Sequence, residues 1–360
     1  MLRSSVSLVA VALVFVAGGA AADAQHLKLT TPADEIAKEL DSRVPRLMER
    51  ARVPGLSVVV VRDGKIILTK AYGDRTLYAA EPVTERTVFE AASIGKPVAA
   101  YAALKLRDEG KLALDTPLST YVKQPYLKRS ERADRVTLRR VLTHTSGLGN
   151  DLARKDTTLH FEPGARFSYS GVGFDYMQRA IESVTNENFA AFMESAVFDP
   201  LAMKSSTYDR VSVGDSASGY MPVWIAQIPL PRTLSMLRPT AASTLSSTPT
   251  DLARFMIELM EPKHIAKRTV DEMLTPAIEL RHELAWGLGI GLAETPNGRA
   301  FWHWGANLGF KSLMIGYPKH KIGVVVMTNG DDGLRIVADV AQIAIGGENR
   351  RLWVQVPARP

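Results

Sequence analysis

Apolar residues recur at helical spacing in the first part of the chain. Within residues 32–52 they fall on one face of a helix, at Ile36, Leu40, Val44, Leu47, Met48 and Ala51. Pro45 lies inside this run, and a proline within a helix removes one backbone hydrogen bond and crowds the preceding turn. The pattern therefore predicts a helix that Pro45 kinks or divides.

β-branched runs follow this helix and recur near the end of the chain. Residues 56–61 and 66–71 read as two strands joined at Asp63-Gly64, a pair that favours a tight hairpin turn. Three further strand-like runs, then a helix, are predicted at residues 300–304, 310–317, 322–328 and 334–345.

The middle of the chain is mainly helical in pattern. Helices are predicted at residues 99–106, 136–142, 174–184, 189–198 and 248–261. Residues 205–238 are irregular and contain three prolines, so we expect them, with residues 151–160, to form loops that shape a substrate pocket.

Strands at both ends and helices between them predict an α+β fold. We expect one antiparallel sheet of about five strands, flanked by the terminal helices and interrupted by an inserted, mostly helical domain. The corresponding boundaries are 25–92 and 265–350 for the sheet domain, 93–264 for the helical domain, and 351–360 for a C-terminal tail.

The first 24 residues are typical of a secretory signal peptide. Arg3 precedes a largely apolar run over residues 6–17, and Ala22-Asp23-Ala24 resembles a cleavage site. About a dozen apolar residues is short for a membrane span. We therefore expect cleavage after Ala24, no stable membrane span afterwards, and a periplasmic or secreted protein.

Composition excludes several classes of site. The chain has no cysteine, so it forms no disulfide and no thiolate metal site. Its seven histidines show neither H-E-x-x-H nor a close pair, so we predict no metal and no cofactor. The net charge is +6, and its one basic cluster, residues 128–140, also contains acids. A solvated surface is the better interpretation, and we expect no nucleic-acid partner.

Ser93 and Lys96 are the candidate nucleophile and base. Residues three apart share a helix face, which places a hydroxyl beside an amine. Lysine can act as the base only if burial lowers its pKa, and the neighbours Val88, Phe89, Ala91, Ala92, Ile94 and Val98 are apolar. The S-x-x-K spacing alone also fits a partly solvated helix start with Lys96 pointing to water.

Ordered motif blocks decide between these interpretations. They are P-G-L-S-V-V-V-V-R-D-G-K from Pro54, S-I-G-K from Ser93, L-T-H-T-S-G-L from Leu142, P-G-A-R-F-S-Y-S from Pro163, D-P-L-A-M from Asp199, S-T-P-T-D-L-A-R-F from Ser247 and H-W-G-A-N-L-G-F from His303. In this order the chain resembles the serine β-lactamase and penicillin-binding protein superfamily. The similar branch contains class C β-lactamases, D-alanyl-D-alanine peptidases and β-lactamase-like carboxylesterases, which implies a β-lactamase/transpeptidase-like fold.

The resemblance also implies roles for residues far from Ser93. Tyr169 matches the tyrosine of the family's Y-x-N motif and would shuttle the serine proton to the leaving group. The motif's asparagine is replaced by Gly171. This loses an amide that would touch a substrate carbonyl or hold the lysine, and it disfavours efficient β-lactam turnover.

His303-Trp304-Gly305 aligns with the family's K-T-G on the strand that borders the active site. His303 offers a donor beside Tyr169 without lysine's permanent charge, and Trp304 replaces a small hydroxyl residue. The N–H groups of Ala306 and Ser93 would form the oxyanion hole. A structural role for His303 at the strand end is the alternative.

A Ser-His-Asp triad is the competing catalytic arrangement, with His144 paired to Asp151 or Asp175. The chain lacks a G-x-S-x-G elbow, and the block around His144 is a structural loop in the resembled family. We therefore do not assign His144 as a general base. Trp302, Trp304, Phe310 and Tyr317 are predicted to form core or pocket wall.

The predicted function is an exported serine hydrolase that forms an acyl-enzyme on a small ester, amide or peptide. Carboxylesterase or D-amino-acid peptidase chemistry is favoured, because Gly171, His303 and Trp304 depart from the lactamase pattern. A true class C-like β-lactamase is one alternative. A non-hydrolytic penicillin-binding or sensor module is another.

Overall fold

The structure is a computed structural model, and it describes residues 26–77, 79–128, 131–151, 156–209, 215–223, 226–229 and 238–347. Its α-helices are Ala33–Ala51 (α1), Gly95–Asp108 (α2), Leu138–Leu142 (α3), Gly171–Thr185 (α4), Phe189–Met193 (α5), Pro249–Met260 (α6), Lys267–Met273 (α7) and Val337–Ile345 (α8). The predicted signal peptide and the whole predicted C-terminal tail lie outside the described residues.

The strands are Gly55–Arg62 (β1), Lys65–Thr76 (β2), Glu81–Pro82 (β3), Phe89–Ala92 (β4), Tyr220–Val223 (β5), Ala226–Pro229 (β6), Leu245–Ser247 (β7), Ile278–Arg281 (β8), Leu284–Trp286 (β9), Gly291–Thr295 (β10), Gly298–Asn307 (β11), Phe310–Tyr317 (β12) and Ile322–Thr328 (β13). Nine of them form one antiparallel sheet in the order β3-β2-β1-β13-β12-β11-β10-β9-β8. The α+β class is confirmed, whereas the predicted count of about five strands was wrong.

The missed strands of this sheet are β3, β8, β9 and β10, which are short segments at its two edges. β8 and β9 have four and three residues, and β8 alternates between half-buried and exposed positions. Such segments carry too few apolar residues to show a period in the sequence. Strand β9 pairs with both β8 and β10, and this pairing stabilises them instead.

The hairpin and the first helix show how local signals act. Asp63 and Gly64 both have positive φ, 52° and 68°, which is the turn that Asp-Gly favours between twisted strands. Helix α1 runs continuously through Pro45, so the predicted division was wrong. Pro45 lies on the exposed face, where water can bond the carbonyl that the proline leaves unpaired.

Strand β1 is central and is buried on both of its faces. Val58 and Val60 pack into a core formed with α1 and α8, whereas Val59 and Val61 pack into the core on the opposite face. Alternate side chains of a strand point to opposite faces, so a continuous valine run suits this position. The sheet therefore lies between the terminal helices and the helical part of the chain.

Strand β4 connects the sheet region to the helical region. It pairs with β7, which comes from residues 245–247, far later in the chain. Helix α2 begins at Gly95, directly after β4. The predicted domain boundary at residue 93 separates two strands that pair with each other, since β4 precedes it and β7 follows it. The division into two domains stays a prediction.

Part of the predicted pocket loop is ordered into secondary structure. Strands β5 and β6, both within residues 205–238, pair in antiparallel orientation, and Tyr220 bridges to Gly330 beyond the end of β13. Residues 152–155, 210–214, 224–225 and 230–237 lie outside the described residues, so the substrate-facing role of these loops stays a prediction. Across the described ranges, no helix combines the length and apolar character needed to cross a bilayer.

Candidate active site

Ser93 lies in a sharp turn between β4 and α2. Ala92, the residue before it, has φ 51°, in the left-handed region that residues with a Cβ rarely adopt. The Ile94 amide donates to the Ala91 carbonyl at 3.1 Å, and the Lys96 amide donates to the Ser93 carbonyl at 3.0 Å. The turn thus places the Ser93 side chain at the beginning of the helix.

Lys96 lies one helical turn from Ser93 and is fully buried. Its Nζ is 3.2 Å from Ser93 Oγ and 2.6 Å from the carbonyl oxygen of Ala242. No carboxylate among the described residues forms an ion pair with it. Burial lowers the pKa of Lys96 from 10.5 to about 7. An amine with this pKa is partly neutral near pH 7 and can accept the serine proton.

Tyr169 joins this pair from the loop that precedes α4. Lys96 Nζ lies 4.8 Å from the centre of its ring. The phenol oxygen is buried and has no partner of hydrogen-bonding geometry in the described part of the chain. Burial raises the pKa of Tyr169, and the nearby Ser93 hydroxyl offsets this only in part. Tyr169 therefore keeps its proton, which leaves Lys96 as the base.

His144 packs on Tyr169, and its ring forms no hydrogen bond with Ser93 among the described residues. Its Nδ1 accepts a hydrogen bond from the Ser170 amide at 3.0 Å, and its carbonyl accepts from the Ser168 amide at 2.7 Å. Burial, with the charges of Lys96 and His303, holds the pKa of His144 well below 6.5. Asp175, one acid considered for a triad, accepts instead from the Tyr126 hydroxyl at 2.8 Å.

His303 lies on β11 and is completely buried. Its Nδ1 is 2.7 Å from the carbonyl oxygen of Trp304, which can only accept, so Nδ1 carries the proton. In the neutral ring Nε2 is then an acceptor, so the donor role of His303 beside Tyr169 stays a prediction. Burial and the Lys96 charge lower the pKa of His303 to about 3, so the ring is neutral near pH 7.

Trp304 is the half-exposed member of an aromatic cluster around Tyr169. Its ring centroid lies 5.2 Å from that of Tyr169 and 5.2 Å from that of His303. Trp286 packs on the buried side, 5.1 Å from His144 and 5.5 Å from His303. The cluster fixes the rings of the site and leaves an apolar surface at Trp304.

In the described part of the chain, one edge of β11 is unpaired at the end of the strand that approaches β4. Strand β10 begins at Gly291, opposite Trp302, so among the described strands nothing pairs with the β10-facing edge of β11 beyond Trp302. A Cβ on Gly305 would lie 2.1 Å from the Ala91 carbonyl oxygen, which shows how closely β11 approaches β4. The oxyanion hole from the Ala306 and Ser93 amides stays a prediction that this approach supports.

Gly171 is the first residue of α4, directly after the helix cap. The cap is Ser170, whose Oγ accepts from the Gly173 amide at 2.9 Å and donates to the Gly149 carbonyl at 2.8 Å. Position 171 therefore carries no side-chain amide near Tyr169. The structure thus agrees with the sequence, in which Gly171 replaces the family's asparagine and its side-chain amide is lost.

Two groups at the site were not predicted from the sequence. The Ala242 carbonyl contacts Lys96, and the Asn307 carboxamide contacts Glu90 and Ser243. A backbone carbonyl has no signature in a sequence. Asn307 lies in the last motif block, beside Ala306, and that position is the signal that could have identified it. Across the described ranges no three His, Asp or Glu side chains converge to hold a metal ion.

Comparison with known proteins defines the family. The sequence profile of the family called Beta-lactamase matches residues 40–345, which is most of the chain. The chain belongs to the Beta-lactamase family. The family predicted from the motif blocks is thereby confirmed. Members of this family are serine hydrolases.

Two relatives of this Beta-lactamase family chain are matched over only part of their own length. Protein flp of Staphylococcus aureus strain MW2 is 23% identical over 318 residues, which cover 81% of this chain but only 63% of that protein. Esterase EstB of Burkholderia gladioli is 29% identical over 202 residues, 48% of this chain and 51% of EstB. This chain therefore matches less than two thirds of each relative.

A solved structure establishes the fold of the family chain. It is the D-alanine carboxypeptidase AmpC from Burkholderia cenocepacia, with a TM-score of 0.74 and 23% identity. The alignment covers 86% of this chain and 99% of that one. The β-lactamase/transpeptidase-like fold is thereby confirmed.

Proposed function

We propose that this chain is an exported serine hydrolase that cleaves uncharged esters or amides through an acyl-enzyme on Ser93. The observation that carries the proposal is the buried Lys96 amine, 3.2 Å from Ser93 Oγ and with a pKa of about 7. An unpaired buried lysine is costly to fold, and its pKa suits proton transfer near neutral pH.

The closeness of Ser93, Lys96 and Tyr169 supports the following reaction. Neutral Lys96 accepts the Ser93 proton while Oγ attacks the substrate carbonyl. The amides of Ser93 and Ala306 hold the negative oxygen of the tetrahedral intermediate. The ammonium of Lys96 then returns a proton, through the Tyr169 hydroxyl, to the leaving alcohol or amine. Water releases the acyl group by the same steps in reverse.

Substrate charge is inferred from the strand that borders the site. Where the resembled family has a lysine, this chain has His303, whose pKa of about 3 keeps it neutral. Trp304 presents an aromatic surface instead of a small hydroxyl group. These residues favour an uncharged, apolar acyl or leaving group over a carboxylate. EstB is named an esterase, which supports ester substrates for this chain.

Export is part of the proposal and rests on the sequence of residues 1–24. N-terminal sequencing of the protein recovered from the periplasm and from the medium would test it. A mature terminus at Gln25 is the expected result. Retention of Met1 on a cytoplasmic protein would contradict export.

Activity is tested on purified mature protein and its Ser93→Ala variant. The panel contains short p-nitrophenyl esters, a D-Ala-D-Ala peptide and a chromogenic cephalosporin. We expect ester turnover by the wild type, with a loss of at least about a thousandfold in Ser93→Ala. Equal turnover by both proteins would remove Ser93 from the mechanism.

A sensor that acylates and stalls is the second candidate, because Gly171 lacks the amide of the family motif. Mass spectrometry after mixing with penicillin or a fluorophosphonate separates the candidates. A transient penicillin adduct indicates an enzyme, a permanent one indicates a sensor, and no adduct with either reagent indicates a scaffold. For a class C-like β-lactamase, turnover of the cephalosporin should exceed that of the esters.

A further inference from the structure

Asn307 is the last residue of β11 and lies beside Ala306. Its Nδ2 donates to Glu90 Oε2 at 2.7 Å and to the carbonyl oxygen of Ser243 at 3.1 Å. Both acceptors can only accept, which fixes the orientation of the carboxamide. One side chain thus connects three separate segments: β11, β4 and the turn at residues 239–244.

The turn at residues 239–244 holds the carbonyl that contacts the base. Ala242, next to Ser243, accepts from Lys96 Nζ at 2.6 Å. On its other side the turn is held by Gln178 of α4, which accepts from the Ala241 amide at 2.8 Å and donates to the Pro239 carbonyl at 3.2 Å. Gln178 therefore bonds residues before Ala242 in the sequence, and Asn307 bonds the residue after it.

The position of this carbonyl decides where the lysine lone pair points. A neutral amine has two N–H groups and one lone pair. When one N–H donates to Ala242, rotation about the last bond of Lys96 is restricted, and the lone pair can be directed at Ser93 Oγ, 3.2 Å away. A displaced carbonyl would leave the amine buried and neutral but misdirected.

We propose that Asn307 is a positioning residue for the general base: it holds the turn at residues 239–244 so that the Ala242 carbonyl orients Lys96 toward Ser93. The inference rests on the proposed function, because it assumes that Lys96 takes the serine proton. Asn307 acts through the turn and does not touch the reacting atoms. Glu90 contributes by anchoring the other side of the same amide nitrogen.

The test measures the rate at which a fluorophosphonate labels Ser93, followed by intact-mass spectrometry across pH. This reagent needs an activated serine but no knowledge of the natural substrate. We expect Asn307→Ala to label about tenfold more slowly than wild type on the high-pH plateau, where Lys96 is neutral in both proteins. The final stoichiometry should remain one label per chain, because the serine itself is intact.

Three variants separate positioning from a general loss of structure. Asn307→Asp keeps the size of the side chain but replaces the donor with an oxygen facing Glu90, so it should slow labelling at least as much as Asn307→Ala. Glu90→Gln keeps an acceptor for Asn307 and should stay within about threefold of wild type. Asn297→Ala, just before the other end of β11, is the matched asparagine control and should label at the wild-type rate.

The outcomes distinguish the inference from the proposed function. If wild type fails to label, the proposed function fails. If wild type labels and both Asn307 variants match its plateau rate within about twofold, the positioning role is wrong. A slower rate accompanied by an equal loss of labelled stoichiometry would also overturn it, because misfolded protein would then explain the loss.

Discussion

The imidazole of His144 lies against the phenol of Tyr169, with ring centroids 4.3 Å apart. The same imidazole accepts from the amide of Ser170, the residue after Tyr169. His144 itself has φ 54°, which histidine and asparagine tolerate better than most residues. The histidine therefore acts as a support for the tyrosine loop, and its packing explains why a triad with Ser93 does not form.

The variants His144→Asn and His144→Ala should show whether His144 holds the Tyr169 loop in place or transfers a proton. Asparagine suits the left-handed backbone and offers an acceptor for the Ser170 amide, whereas alanine leaves that amide unpaired and opens a cavity. We expect alanine to lower the free energy of unfolding by roughly 2 to 4 kcal/mol and asparagine by clearly less. Urea unfolding measures this. Esterase assays on the same samples should show more activity in the asparagine variant. An equal loss of about a thousandfold in both folded variants would indicate a general base.

The rate of ester hydrolysis should depend on pH through Lys96. Its pKa is about 7, and only the neutral amine can accept the serine proton. For a neutral ester, kcat/KM should therefore fall about tenfold per pH unit below about pH 7 and level off above it. His303 should add no second step there, because its pKa is about 3. A flat profile between about pH 5 and about pH 9 would exclude Lys96 as the base.

Replacing Lys96 with methionine should remove activity and change how stability depends on pH. The pKa of Lys96 falls from 10.5 in the unfolded chain to about 7 in the folded one, so between these values the unfolded state binds more protons. The free energy of unfolding of the wild type should thus fall as pH decreases from 10.5 to about 7. Below about pH 7, Lys96 should cause no further decrease.

The methionine variant lacks this titrating group and therefore serves as the reference for the wild type. The stability difference between variant and wild type should grow as pH falls toward about 7, by at most roughly 5 kcal/mol in total, and then stay constant. Lost hydrogen bonds to Ala242 and Ser93 shift this difference by a constant amount and leave its pH dependence unchanged. Denaturant unfolding from about pH 6 to about pH 9 measures it. A difference that does not change with pH would mean that Lys96 keeps an ordinary pKa.

Local chemistry made part of the fold predictable. Asp63-Gly64 specifies its turn through the backbone preferences of two residues, and the spacing of Ser93 and Lys96 is fixed by one helical turn. Tyr169 is different, because its approach to Lys96 depends on long-range packing. Only the resemblance of ordered motifs indicated it.

The features that sequence reasoning missed share a physical cause. Strand β9 is three residues long and is stabilised by pairing with its neighbours. Pro45 is tolerated because it faces solvent, a fact that the periodicity around it does not reveal. The Ala242 carbonyl belongs to the backbone, so residue type carries no information about it. Each depends on where a group lies in three dimensions.

Gly305 provides a test of the close approach between β11 and β4. An added Cβ would lie 2.1 Å from the Ala91 carbonyl oxygen and 2.2 Å from Ser312 Oγ. Ser312 already donates to that carbonyl at 3.0 Å, so neither atom can move without disturbing the turn that carries Ser93. Gly305→Ala should therefore lower the free energy of unfolding by roughly 1 to 3 kcal/mol and reduce esterase activity by more than about tenfold.

Gly110→Ala is the matched control for this substitution. A Cβ at Gly110 meets nothing within 4 Å, but its φ of 73° imposes a backbone cost of about 1 kcal/mol. Both variants should thus lose some stability, whereas only Gly305→Ala should lose activity per folded molecule. Thermal unfolding and active-site labelling with a fluorophosphonate give these two quantities separately. Full labelling rate and ester turnover in a folded Gly305→Ala protein would show that the active site does not require the close contact of β11 with β4.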